Sequence, residues 1–347
     1  MSRSRPHLVA PRGRVLPGDG PIRLDLVTNP YGPSVHVLDV LSGAGDLHLP
    51  SGTRETKLQL RLAHVLGVPP DWLVLASGID ELLRMILLWR MGRGPIVLFP
   101  PSDPADDRRA AQFGMDIVRL PRGPAFSLGL EPTGPRLIPP GATALIGSPN
   151  DPTGTLLSTQ DAVRLTRACE LVLIDERYGE YSHRTLVPFT REFSNIIVLQ
   201  SFETWAGLAG LPFAYAIGPP ALLRELATFA PPDGVAMGAV LAATATLDDL
   251  AYVRATVQRV REERSRLYRM LRKLNMIRPY PSWANFMLAR VERGDADRVA
   301  IELARRGIQV HRPRQAALDR CLRISATLPE HTDALKSALI DLAVDLD

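Results

Sequence analysis

Asp175 and Tyr178 lie three residues apart, just beyond the short apolar run Leu171 to Ile174. A carboxylate and a phenol at the carboxyl end of a buried strand sit where α/β sheets place their ligands, and together they could do acid–base chemistry. They could equally be spent on ion pairs with arginines such as Arg177. Arg323, in Leu322-Arg323-Ile324-Ser325, offers a planar fork suited to a carboxylate, or an ion pair with a nearby acid. Asp103, Asp151 and Glu203 could gather into an acidic pocket for an amine or guanidinium, or lie apart on the surface. Asn285, at the start of a strand, could bond a substrate or serve a turn. Oxygen ligands of this kind also suit magnesium or calcium, but no metal is expected. The sequence shows no Ser-His-Asp arrangement, no metal-binding histidine pair and no Gly-rich nucleotide loop. His48 and His311 read as surface or packing residues, and Cys169 and Cys321 as packed thiols.

These side chains need elements to hold them. Trp72–Ala76, Pro95–Phe99, Ile117–Leu120, Ala142–Ile146, Leu171–Ile174, Asn195–Gln200 and Phe213–Ile217 are short apolar runs bounded by turn residues, as expected for strands covered on both faces. Helical spacing alternates with them at Ile79–Met91 and Ala105–Phe113, and precedes them at Thr53–Gly67. A further short strand is expected at Leu24–Val27. The predicted fold class is α/β, with a mostly parallel central sheet in a large domain over residues 24–230. Residues 1–23 read as an irregular arm. Residues 231–347 read as a smaller α+β domain, with a long helical stretch from Met237 to about Asn275, a strand at Asn285–Ala289 and helices at Asp295–Arg306 and Pro329–Val344.

Composition narrows the function classes. The 347 residues are 46% hydrophobic and 22% charged, ordinary for a globular protein. Two cysteines cannot build a disulfide framework and no apolar leader is visible, so a cytoplasmic location is expected. The longest apolar stretch, Gly234 to Leu247, is too short to span a bilayer. The net charge of +4 is scattered, so neither membrane nor nucleic acid is an expected partner. Only three of the 41 basic residues are lysine: Lys57, Lys273 and Lys336.

Seven segments in order resemble the fold-type I aminotransferases, most of all the histidinol-phosphate aminotransferase branch. They are Asn29-Pro30-Tyr31-Gly32-Pro33, Ala76-Ser77-Gly78-Ile79-Asp80-Glu81, Ser148-Pro149-Asn150-Asp151-Pro152-Thr153-Gly154, Ile174-Asp175-Glu176-Arg177-Tyr178, Gly207-Leu208-Ala209-Gly210-Leu211, Ala284-Asn285-Phe286 and Leu322-Arg323-Ile324-Ser325. The resemblance implies a pyridoxal-phosphate domain, a small C-terminal domain and a dimer, here expected to be a homodimer. It implies that Asp175 stands beside the ring nitrogen, that Tyr178 and residue 151 reach the ring oxygen, and that Gly78 and Ile79 belong to the phosphate turn. Asn29, Asn285 and Arg323 fall at substrate-binding positions.

Several positions depart from the family pattern. Thr204 stands where the family has the lysine that forms the Schiff base, Glu203 at a phosphate-binding serine, and Pro212 at a phosphate-binding arginine. Asp151 replaces an asparagine, Asp103 a stacking aromatic, Leu49 a tyrosine that reaches the partner subunit, and Ile79 a serine. These losses lead to the expectation that no cofactor is used. A small amino-acid-like substrate would then meet Asp175, Tyr178, Glu203 and Thr204 as catalytic groups, with Arg323, Asn285, Asp151, Asp103 and Asn29 binding it. A non-catalytic binding protein, and an enzyme holding pyridoxal phosphate non-covalently, are the alternatives.

Overall fold

The computed structural model describes residues 20–130, 138–232 and 234–345, so most of the expected arm lies outside the described residues. Among them are twelve strands: β1 Ile22–Leu24, β2 Leu73–Ala76, β3 Ile96–Leu98, β4 Ile117–Arg119, β5 Thr143–Gly147, β6 Leu171–Asp175, β7 Ile196–Ser201, β8 Ala214–Ile217, β9 Ile277–Pro279, β10 Phe286–Val291, β11 Ile308–Val310 and β12 Cys321–Ser325. Seven form one sheet in the order β2-β8-β7-β6-β5-β3-β4. Every pairing from β7 to β4 is parallel, and only β8 runs against its neighbours β2 and β7.

The continuous apolar runs follow from burial on both faces. In β6, Leu171 and Leu173 pack with the helix Ile79–Arg90, while Val172 and Ile174 pack on the other face with Ala162 and Leu165 of the helix Thr159–Ala168. β7 repeats the alternation, with Ile197 and Leu199 on one face and Ile196 and Val198 on the other. A period of two with both faces apolar leaves no polar face to reveal the strand. Register sets the ends: Gly147 of β5, Asp175 of β6 and Leu199 of β7 align, which carries Asp175 to the carboxyl edge.

A three-stranded antiparallel sheet, β12-β10-β9, lies beyond. Leu288 of β10 is paired with Arg323 of β12. Its core merges Met287, Ala289 and Ile324 with Val257, Val260 and Leu267 of the helix Leu250–Leu271, and with Leu335 and Leu339 of the helix Pro329–Asp345. The expected long helical stretch is two helices, Met237–Asp248 and Leu250–Leu271. Asp249 interrupts it, its carboxylate accepting the Tyr252 amide at 3.4 Å, because aspartate favours a helix start over a helix interior. The expected strand Leu24–Val27 lies slightly earlier, as β1, which pairs in parallel with β11. Residues 25–27 are left free to contact the site. The helix Val35–Ser42, capped by Ser34, was not expected.

Gly207 joins the amino-terminal turn to this frame. Its φ is +73°, and a Cβ built there would lie 2.5 Å from the Gly32 carbonyl carbon. Strain at that φ combined with a backbone clash predicts that Gly207→Ala lowers unfolding free energy by about 2–4 kcal/mol in urea titration. An unchanged midpoint would show that the Gly32 turn is not held against this loop.

Candidate ligand-binding site

The loops that follow β5 and β6 meet the three-stranded sheet at one buried ionic node. Arg323 enters from β12 and Asp151 from the loop after β5. Arg323 Nη1 lies 2.6 Å from Asp151 Oδ2, and the Tyr178 hydroxyl donates to the same oxygen at 3.0 Å. Arg323 Nη2 donates to the Asp25 carbonyl at 2.8 Å, and its guanidinium lies 5.3 Å from the Phe286 ring centroid. Tyr178 meets the same ring edge-on at 5.1 Å. Burial, and then the Asp151 charge, push the Tyr178 phenol well above its usual range, so it stays a donor. Burial alone would lower the Arg323 pKa, but Asp151 reverses this and keeps it charged.

Two buried atoms here have no partner among the described residues: Arg323 Nε, a donor, and Asn285 Oδ1, an acceptor. Asn285 is 1% exposed and spends its amide on the Val27 carbonyl at 2.7 Å. Unsatisfied buried polar atoms are rare and call for a reason.

A second node surrounds Asp175. Arg177 folds back on it, with Nε 2.8 Å and Nη2 2.5 Å from Oδ2, and the Arg177 amide caps Oδ1 at 3.0 Å. Arg177 Nη1 lies 4.0 Å from Asp103. Burial opposes the Arg177 charge, yet Asp175 more than offsets it and raises the pKa well above the usual value. Asp103 starts the helix Pro104–Gln112 by accepting the Ala105 amide at 2.9 Å. Asp106, in the first turn of that helix, is buried, and burial and then the nearby Asp103 push its pKa to about 8.

Glu203 takes a third position. Its Oε1 accepts the Ile79 amide at 3.1 Å, at the start of the helix Ile79–Arg90, and burial raises its pKa. Thr204 turns away: its hydroxyl donates to the Arg177 carbonyl at 2.6 Å, and its own carbonyl accepts the Asn29 amide at 2.9 Å. The Asn29 side chain holds the Trp205 carbonyl at 2.7 Å and Thr256 at 3.0 Å, which braces the loop. Asp151, Asp103 and Glu203 thus sit on three separate partners rather than in one joint pocket.

Glu176 buttresses the site without having been singled out in the sequence. It is fully buried and accepts Thr185 Oγ1 and the Leu186 amide at 2.6 Å each, and Gln200 Nε2 at 2.8 Å. Arg177, the counter-ion of Asp175, was foreseen only as an ion-pair partner. Its spacing, two residues beyond an aspartate that ends a strand, is the one signal that marked it. Among the described residues, no group of His, Cys, Asp or Glu is placed to hold a metal, and no helix is long and apolar enough to cross a membrane.

Residues 57–340 match the model of aminotransferase class I and II. The chain belongs to that family. It is 34% identical over 338 residues to histidinol-phosphate aminotransferase of Roseiflexus castenholzii, covering 94% of this chain and 91% of that one. Among solved structures it is similar to histidinol-phosphate aminotransferase of Sinorhizobium meliloti, with a TM-score of 0.84, 26% identity and coverage of 94% and 92%. It also matches a putative aminotransferase of Burkholderia pseudomallei, with a TM-score of 0.84, 26% identity and coverage of 93% and 99%.

The expectation that no cofactor is used does not survive this. The aminotransferase family, and the Sinorhizobium protein solved with pyridoxal 5′-phosphate, point to that group instead. The substitutions that prompted the expectation bear on how such a group is held, which is a different question from whether it is used. At the positions that the resemblance assigns to its ring, Asp175 and Tyr178 offer a carboxylate and a phenol. At those it assigns to the aldehyde and the phosphate, the residues present do not suit the group: the Thr204 hydroxyl donates to the Arg177 carbonyl, and the Glu203 carboxylate fills the helix start at Ile79.

Burial raises the Glu176 pKa to about 7. The folded protein therefore keeps a proton that the unfolded chain releases near pH 4.5. This contribution to stability is fully present below the unfolded value and is lost as pH rises through about 7. The cost of Glu176→Gln, from urea unfolding, is expected to shrink between pH 5 and pH 8 by up to about 3 kcal/mol. A cost that stays constant across that range would contradict the raised value.

Proposed function

We propose that this aminotransferase family member acts on a small amino-acid-like molecule at the Arg323–Asp151 node, with the family's pyridoxal-type cofactor held without a covalent bond to lysine. The observation that carries the reading is the unsatisfied pair at that node, the Arg323 Nε donor and the Asn285 Oδ1 acceptor, both buried. A zwitterion suits it. Inserted between Arg323 and Asp151, its carboxylate takes the guanidinium fork and its ammonium takes the freed Asp151 carboxylate, so neither protein charge is stranded. A ligand with a carboxylate alone would leave Asp151 buried and unpaired, which is costly. Tyr178, held protonated, keeps donating to Asp151 and fixes its orientation.

The lysines support the non-covalent part. Lys57, Lys273 and Lys336 are all exposed, two on the helices Gly52–Leu66 and Pro329–Asp345 and one just past Leu271, and Thr204 takes the site position. When bound, the cofactor supplies an electron sink for bonds at an α-carbon. This chain's residues orient the zwitterion and hold the Asp175 carboxylate in place against the Arg177 guanidinium and amide. The closed state of all three nodes favours, as a second reading, a protein that binds without turnover. A homodimer is part of the proposal, expected by light scattering at about twice the 38.1 kDa chain mass.

Mixed one-to-one with pyridoxal 5′-phosphate, treated with borohydride and weighed intact, the protein should show no stoichiometric adduct. One pyridoxyl group per chain on a single lysine would overturn the non-covalent reading. Separately, Arg323→Ala should weaken the amino acid that most raises the melting temperature by tenfold or more in calorimetric titration. Undiminished affinity would remove the substrate assignment, and binding without any turnover of that amino acid would favour the second reading.

A further inference from the structure

The start of the helix Ile79–Arg90 is closed by the chain's own carboxylates. A helix start preceded by a left-handed glycine is a ready anion site, because its free amides and dipole favour negative charge. Here Gly78 has φ +96°, and the amides on either side are both taken. Ser77 N–H donates to Glu81 Oε2 at 2.5 Å, and Ile79 N–H donates to Glu203 Oε1 at 3.1 Å. The space is filled as well. A Cβ built on Gly78 would lie 2.7 Å from Glu203 Oε1 and 2.9 Å from Pro212 Cβ, so even one added carbon forces a shift. Arg109, which reaches Asp80 in this turn, is spent on Asp80 and Asp106, and Arg177, the cation that acts on Glu203, is spent on Asp175.

We propose that Glu203 is a built-in replacement for a ligand phosphate, so that the cleft takes the unphosphorylated vitamer, pyridoxal or pyridoxamine, in preference to its phosphate ester. This rests on the proposed function above, that a pyridoxal-type group binds here. A phosphate would lose both amides to carboxylates already seated, face their charge, and find Pro212 where no donor exists. The hydroxymethyl group of the unphosphorylated vitamer is small and neutral. It can donate a hydrogen bond to Glu203, which leaves the carboxylate on Ile79 undisturbed. Selection against phosphate is therefore electrostatic and steric, and is centred on Glu203 with Glu81 and Pro212 beside it.

Pyridoxamine and pyridoxamine 5′-phosphate test this, since neither carries an aldehyde to react with surface lysines. Calorimetric titration of the wild-type chain should give at least tenfold tighter binding of pyridoxamine. Glu203→Ser, which removes charge and opens space, should tighten the phosphate ester at least tenfold and should not tighten pyridoxamine, which loses its Glu203 acceptor. Glu203→Gln keeps the size, and should recover the electrostatic part of that gain. Equal or tighter binding of the ester by the wild type, unchanged in both variants, overturns this inference and leaves the proposed function standing. Binding of the ester by Glu203→Ser alone, with neither vitamer held by the wild type, supports the role of Glu203 and overturns the proposed function. No binding of either vitamer by any of the three proteins, with unfolding transitions intact, overturns both.

Discussion

Arg323 and Asp151, 172 residues apart, meet at 2.6 Å with little exposure on either side. The pair ties β12 of the three-stranded sheet to the carboxyl end of β5 in the central sheet, and Tyr178 at the end of β6 leans on the same oxygen. Breaking one half of such a pair leaves a buried charge without compensation, typically worth about 3–5 kcal/mol. The node therefore fixes how the two sheets meet, and whatever enters the cleft must satisfy both charges it separates.

The same rule governs the rest of the cleft. Each charged side chain of the three nodes has an internal counterpart. Arg177 neutralises Asp175, Asp151 neutralises Arg323, and Glu203 occupies the helix start at Ile79. A cleft that closes on itself this way is self-consistent without a bound group, and on the proposed reading a ligand exchanges one ion pair for two. That condition favours molecules carrying both signs of charge over simple anions. It also separates two matters that the substitutions run together: the family points to a cofactor, whereas the residues of this chain determine how firmly and in what form it is held.

Most of the central sheet was legible in the sequence. The runs Leu171–Ile174 and Asn195–Gln200 are apolar on both faces, and their shortness and flanking turn residues, rather than any alternation, mark them as strands. Less legible were β1 and β11, whose three-residue pairing depends on a partner 286 positions away rather than on any local pattern. Asp249 broke a helix that apolar spacing alone would have run through. At the site, residue types identified Asp175, Tyr178 and Arg323, but pairing depends on three-dimensional approach. Asp103, Asp151 and Glu203 look alike as three added acids, yet one caps a helix, one holds an arginine and one fills a helix start. Thr204 and Asn29 are expected at the site by position, and their spacing could not reveal the hydrogen bonds they make, Thr204 to the Arg177 carbonyl and Asn29 to the Trp205 carbonyl and Thr256. Glu176 escaped notice because its role lies in three hydrogen bonds to a loop ten residues on and to a neighbouring strand.

The exchange of ion pairs at the node can be observed directly in a crystal structure of the protein with the amino acid that most raises its melting temperature. The expected result is an open pair, with Arg323 Nη1 and Asp151 Oδ2 no longer in contact, the ligand carboxylate on Arg323 and its ammonium on Asp151. A ligand bound elsewhere, with the 2.6 Å contact intact, would contradict the central claim that this ion pair is the binding site.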